Sequence, residues 1–339
     1  MRNAGIQADK VLRELDDLWA KLVRSTPEAA DAAVMRACSM TLLVVSEEDD
    51  SKDASRVSET LAELMRDHPS RAIILRLVRA AKSSPEARVF TQCWMPFGKR
   101  EQVCCEHVEI SFCAGSLHEV SPLAAALVAP DLPVVLWCRA TGLLTSPDFD
   151  PVLRLAQKVI VDSAGVADLE SQLRLLLSIR NGGRIVADLA WTRLTRWREA
   201  IAKVFDNPVH AQNLGNIDTA TMDWDGDQLP MSACYFAAWL AECLPVMPAF
   251  TFRRLEAAPR PRLHAIGLSG QGIVVALSVN QDRLVDLHAG RQESHTVFPA
   301  LSDYELLSEE LSLLGRDSVY ERLLPAIPKF LRLAASENA

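Results

Sequence analysis

The chain has 339 residues, 49% hydrophobic and 24% charged, with a formal net charge of −8. That length predicts two domains, the composition fits a globular protein, and the negative charge works against a nucleic-acid partner. No apolar run approaches the roughly 18 residues that span a bilayer, and Met1-Arg2-Asn3-Ala4-Gly5 leads into charged amphipathic sequence, so a cytoplasmic protein without a membrane partner is expected.

In residues 6–23, Val11, Leu12, Leu15, Leu18, Trp19 and Leu22 recur at helical spacing. Thr26-Pro27-Glu28 supplies an N-cap with Pro at the first helical position, predicting a second helix to about Cys38. Residues 40–45 read as a short strand, ended by Ser46-Glu47-Glu48-Asp49-Asp50-Ser51, an acidic run of the kind that forms a solvated loop rather than a metal site. A helix carrying Val57, Leu61, Leu64 and Met65 ends near His68-Pro69, and residues 72–78 read as a buried strand. Residues 88–94 and 102–112 read as two strands around Pro96-Phe97-Gly98-Lys99-Arg100. Polar residues on both faces of the second, His107 and Glu109 against Glu106, predict an edge that stays wet or meets a partner. A helix over 117–128 leads into Val134–Cys138, which the first half of the chain is organised around. Its five residues show no polar alternation, as in a strand covered on both faces. Pro130 and Pro133 suit its entry, and Arg139 to Gly142 a loop at its carboxyl end.

Short elements follow: a helix over 150–157, a strand over 159–161, and a helix over 167–179 closed by Asn181-Gly182-Gly183. After an extended Ile185–Asp188, with Asp188 as cap, Trp191, Leu194, Trp197, Ile201, Val204 and Phe205 make one helical stripe. Arg193, Arg196, Arg198 and Lys203 lie off it, giving either a solvated basic side or a partner-facing one. Residues 207–230 are polar, and a helix over 231–244 carries Tyr235, Phe236 and Trp239. Strands over 251–255, 263–268, 273–279 and 284–288 precede closing helices over 304–314 and 319–333. These elements predict a Rossmann-like α/β domain over residues 1–183, its mostly parallel or mixed sheet flanked by helices. A connecting helix and polar linker over 184–225 leads to a smaller α+β domain over 226–339 with a mainly antiparallel sheet.

Motifs for chemistry are scarce. Gly267-Leu268-Ser269-Gly270-Gln271-Gly272 joins two strands and is neither a dinucleotide fingerprint, nor a phosphate loop, nor a nucleophile elbow. Cys93, Cys104, Cys105, His107 and Cys113 cluster without any CxxC pair. Cys104, Cys105 and Cys138 are possible redox thiols, Cys138 having Arg139 as a neighbouring cation, although inert packing is the plainer reading. Arg71 and Arg139, each beside a buried strand, could grip a phosphate or carboxylate, as a small-molecule sensor would, or form ordinary ion pairs.

Several segments taken together resemble the glucose-6-phosphate dehydrogenase assembly protein (OpcA) family. They are His68-Pro69-Ser70-Arg71-Ala72-Ile73; Cys93-Trp94-Met95-Pro96-Phe97-Gly98 running into residues 103–110; Asp131 to Cys138; and Asp188 to Arg198. The resemblance implies a protein with no catalytic residue, cofactor or metal of its own. It implies a partner, glucose-6-phosphate dehydrogenase, whose active oligomer the protein favours and whose substrate affinity it raises. Thiol redox state is held to govern the partnership in cyanobacterial members; Ser70, where some relatives have Cys, departs from that pattern. The resemblance leaves the oligomeric state open. Trp and Arg carry interface energy disproportionately, so the docking candidates are Trp94, Arg100, Trp137, Arg139 and Arg196.

Overall fold

In the computed structural model, which describes residues 7–25, 34–47, 51–79, 84–96, 102–280, 282–313 and 315–337, the chain divides into two compact units. The first comprises residues 1–161, 183–186 and 303–314; the second comprises 162–182, 187–302 and 315–339. The division expected across 184–225 is thus redrawn: the first unit recruits a helix from residues 303–312, and the second begins at Asp162.

Eight strands among the described residues form the first sheet. They are β1 (Val34–Arg36), β2 (Met40–Glu47), β3 (Ser70–Leu77), β4 (Glu86–Trp94), β5 (Gln102–Phe112), β6 (Val134–Cys138), β7 (Lys158–Val161) and β8 (Ile185–Asp188). The main order is β5-β3-β2-β6-β7-β8, with parallel pairing from β5 through to β7. All five residues of β6 are buried, as an apolar run without alternation requires in a sheet covered by helices. Helices Ser51–Asp67 and Leu117–Leu127 make the crossovers that parallel strands need. The helix Ala8–Ser25 packs against β4, and Asp303–Ser312 packs against Ser51–Asp67. β4 runs antiparallel along one edge of β5, whose other edge is shared by β1 and β3, so the sheet is Rossmann-like and mixed. The second helix expected to reach Cys38 is corrected at its end. Residues 26–33 lie outside the described ones, and Val34–Arg36 is a strand paired with Gln102–Cys104, an available sheet edge having overridden the local helix signal.

The second unit carries a sheet ordered β10-β9-β11-β12-β13-β14: β9 (Ile217–Asp225), β10 (Ala249–Arg254), β11 (Arg262–Gly270), β12 (Ile273–Val279), β13 (Leu284–Ala289) and β14 (Gln292–Val297). Only β10 with β9 is parallel, so the sheet is mainly antiparallel. The polar stretch read as a linker therefore contains a strand, β9, which pairs on both sides. Its apolar Ile217, Ala220, Met222 and Trp224 are buried, but the Asp and Thr between them hide the pattern. The β11–β12 turn needs its glycines. Gly272 has φ +78, and a Cβ on Gly270 would stand 1.8 Å from the Asn216 carbonyl oxygen. Helix Met231–Cys243 is apolar nearly all round and lies on β9 and β11, buried from Ala233 to Ala238. The single helix expected after Asp188 is two, Leu189–Thr192 and Thr195–Val204, separated by a tightened turn in which the Leu194 N–H donates to the Trp191 carbonyl at 2.9 Å. Pro325 similarly divides the last helix into Ser318–Leu323 and Ile327–Glu337.

Candidate functional site

In the first unit the strand order reverses between β2 and β6, where open α/β sheets usually bind ligands at the carboxyl ends. Val45 pairs with Cys138, and the Arg139 N–H donates to the Val45 carbonyl at 2.8 Å. A dinucleotide-binding fold places a glycine-rich, phosphate-holding turn after the strand on this edge. In the sequence, β2 ends at Glu47 and is followed by Glu48-Asp49-Asp50, an acidic run without glycine. Arg139 is committed to Asp303, Nη1 to Oδ2 2.7 Å, and its guanidinium lies 5.1 Å from the Trp137 ring centroid. Trp137 is 1% exposed, so its expected place on a docking surface is corrected. The apolar β6 run carries it wholly inside, where no partner reaches it.

Arg71 is likewise committed. Its Nε donates to Glu106 at 2.7 Å and its Nη1 to the Leu127 carbonyl at 2.9 Å. Glu106, on β5, also accepts from Arg36 at 2.6 Å and from the Trp19 indole at 2.5 Å. These bonds tie the first helix and β1 to β5, so Arg71 serves the fold rather than a phosphate.

At the β4 edge, register sets Cys93 opposite Cys104 and the two are bonded as a disulfide. Inert packing, the plainer reading, does not hold for Cys104, whose partner is Cys93. Cys105 faces the other way, its Sγ donating to the Ala37 carbonyl at 3.4 Å, and burial pushes its thiol up to about 11. Burial pushes Cys138 up to about 12 despite its cationic neighbour, because Arg139 is directed at Asp303. Neither is a thiolate at neutral pH, so both corrections follow from desolvation. Trp94, half-buried, ends β4 beside Met95, which is 65% exposed, and Phe90, 38% exposed, lies four residues back along the strand. Arg100 lies outside the described residues.

The second unit holds features that single residues did not signal. Asp188 is fully buried and accepts four hydrogen bonds, from the Ser163 N–H (3.0 Å) and hydroxyl (2.5 Å), the Ala190 N–H (2.9 Å) and the Tyr235 hydroxyl (2.7 Å). Burial and the nearby Asp162 raise its carboxyl's pKa; the Ser163 and Tyr235 donors oppose that rise. The Tyr320 hydroxyl stands 3.0 Å from that of Tyr235. Three segments distant in sequence thus meet at this carboxylate, and Tyr320 adds a fourth through Tyr235.

Arg196, at the start of Thr195–Val204, is exposed and opens on a cavity of about 280 Å³ within the second unit. Arg193, Arg262 and Arg283 line the same cavity, together with Trp197, Met231 and Phe298. Arg193 and Arg196, three apart on a helical turn, were legible as a basic side; Arg262 and Arg283 come from other strands and loops and were not. Among the described residues no group of three or more His, Cys, Asp or Glu is placed to hold a metal, and no helix is long and apolar enough to cross a membrane.

Two family matches cover most of the chain: residues 61–178 match a glucose-6-phosphate dehydrogenase subunit N-terminal domain, and residues 184–324 the corresponding C-terminal domain, both of OpcA type. The chain belongs to the OpcA family. A Nostoc punctiforme protein named for the OxPP cycle, OpcA, is 32% identical over 53% of this chain and 39% of its own length. A Synechocystis protein of the same name is 27% identical over 58% of this chain and 41% of its own. The chain thus spans about two fifths of the length of those curated relatives. Among solved structures, the 3-ketoreductase KijD10 from Actinomadura kijaniata superposes with a TM-score of 0.49 at 10% identity, covering 88% of this chain and 97% of that one. An aldose-aldose oxidoreductase from Caulobacter crescentus gives 0.46 at 9% identity, covering 88% and 98%. At those values neither bears on activity.

Proposed function

We propose that this OpcA-family chain is a non-catalytic partner of glucose-6-phosphate dehydrogenase that binds the enzyme and favours its active form. The observation that carries the reading is the pair of matches over 61–178 and 184–324, both to domains described as belonging to a subunit of that dehydrogenase. Two features support it. The sequence that follows β2 is acidic and lacks the glycines of a dinucleotide-holding turn, and Arg71 and Arg139 are held by carboxylates of the same unit. An activator of this kind acts by binding the enzyme's active conformation better than its inactive one, a coupling typically worth about 1–3 kcal/mol.

The docking surface we assign to the dehydrogenase is the β4 edge at Phe90, Trp94 and Met95. Among the described residues β4 pairs with β5 alone, so one row of backbone groups remains at the edge, flanked by apolar side chains. The test is dehydrogenase kinetics, with enzyme and partner from the same organism, and co-elution of the pair. The chain is expected to co-elute and to lower the substrate concentration for half-saturation. The Trp94→Ala/Met95→Ala double variant is expected to need about ten times more protein for the same effect, the loss of about 1.4 kcal/mol of binding. Unchanged activation by the variant moves docking away from β4; no co-elution and no shift in saturation overturns the reading altogether.

A further inference from the structure

The cavity in the second unit is the strongest unassigned feature of the molecule. Four arginines line it and no acidic residue does, in a chain whose net charge is −8. Two of the four are fixed from behind. Arg193 is held by Asp162 through two bonds of 2.7 Å, and Arg262 by Asp225 at 2.9 and 3.1 Å. These carboxylates orient the guanidinium groups and neutralise part of their charge. Arg196 and Arg283 are exposed, and among the described residues neither has an ion pair. Arg283 also sits at φ +60, a conformation that Gly or Asn adopts more cheaply. A long cation thus stands where a small turn residue would fit at less cost.

The rest of the lining is apolar and aromatic, with Trp197, Met231 and Phe298 forming a wall. The helix Met231–Cys243 opens on the same space, and no side chain caps its N-terminus. That end adds to the positive potential set by the arginines. Guanidinium groups grip phosphate and carboxylate in bidentate fashion. The volume lies at the small end of ligand pockets, which run about 300–1,000 Å³, so a dinucleotide is too large. From these observations we infer that the cavity binds a small organic phosphate, its phosphate between Arg196 and Arg283 and its organic part against Trp197 and Phe298. This inference stands independently of the dehydrogenase partnership.

Calorimetric titration of the full chain with phenyl phosphate tests it, with inorganic phosphate and a hexaglutamate peptide as comparators. Phenyl phosphate is expected to bind at least tenfold more tightly than inorganic phosphate, because only it uses the aromatic wall, and to weaken as salt rises. An Arg196→Ala/Arg283→Asn variant is expected to lose at least tenfold in affinity while its thermal midpoint stays put, Asn being at home at positive φ; Arg196→Gln alone should lose less. Binding of phenyl phosphate that the double variant retains would falsify the assignment. So would equal affinity for the two phosphates, or heat from hexaglutamate alone, which would mark the cavity as a contact for an acidic protein segment. Because no dehydrogenase is present, failure here leaves the partnership untouched.

Discussion

His107 is 1% exposed, stacks on Phe90 with ring centroids 4.7 Å apart, and among the described residues has no hydrogen-bond partner at either ring nitrogen. Burial lowers its pKa from 6.5 to about 4, so the ring is neutral in the fold at physiological pH. A base whose folded pKa is depressed adds stability that is complete above its unfolded pKa and is lost as pH falls toward the folded one. The window is therefore pH 6.5 down to about 4. From pH 7 to pH 5 the native chain should lose about 2 kcal/mol more than a His107→Phe variant, measured as urea unfolding free energy. Parallel pH dependence in the two proteins would show that His107 is not what titrates. The sequence placed His107 on a half-wet strand. What it could not supply is the Phe90 ring that covers it, which depends on β4–β5 register.

At the scale of elements, the helix Asp303–Ser312 is held to the first unit by polar bonds as well as by Leu306, Leu307 and Leu311. Lys158, 4% exposed, donates to Glu310 Oε2 at 2.9 Å and to the carbonyls of Glu310 and Leu313 at 2.5 and 2.9 Å. A buried ion pair adds little over an apolar pair of the same volume, yet removing one partner strands the other charge. Glu310→Ala should therefore cost about 3 kcal/mol, whereas Lys158→Met combined with Glu310→Leu should fall within about 1 kcal/mol of the parent. Urea midpoints of the three proteins decide this. Equal stability of the single variant and the parent would mean that the two carbonyls alone satisfy the ammonium. The helix itself was legible from the spacing of its leucines. Its place in the first unit was not, because some 145 residues separate Lys158 from Asp303 and nothing local encodes that return.

At the scale of the whole molecule, the backbone leaves and re-enters each unit several times, at Val161, Gly183, Val186, Asp303 and Leu314. Neither unit is a continuous stretch. A fragment of residues 1–186 lacks Asp303 for Arg139, Tyr304 for Asp67, Ser308 for His68 and Glu310 for Lys158. It also exposes the apolar face that Leu306, Leu307 and Leu311 cover. The expected outcome is a fragment without cooperative urea unfolding that gains structure when a peptide of residues 303–314 is added, followed by near-ultraviolet circular dichroism. A fragment that unfolds cooperatively at the midpoint of the full chain would show that the returning helix is dispensable.

Pattern alone settled the parts whose signal is local. The unalternated β6 run, the stripe of Ala8–Ser25, the apolar helix Met231–Cys243, the Asp188 cap and the β12 strand stand where pattern and turn residues put them. Family membership was also legible, because it lies in the co-occurrence of several short segments. Tertiary structure decided the rest. It paired Val34–Arg36 with β5, put the polar β9 inside a sheet, buried Trp137, joined Cys93 to Cys104, occupied Arg71 and Arg139 with carboxylates, and brought Arg262 and Arg283 to the cavity beside Arg196. Burial and charge pairing are properties of neighbours in space. A single sequence records which side chains are available to pair, and only the folded chain determines which of them meet.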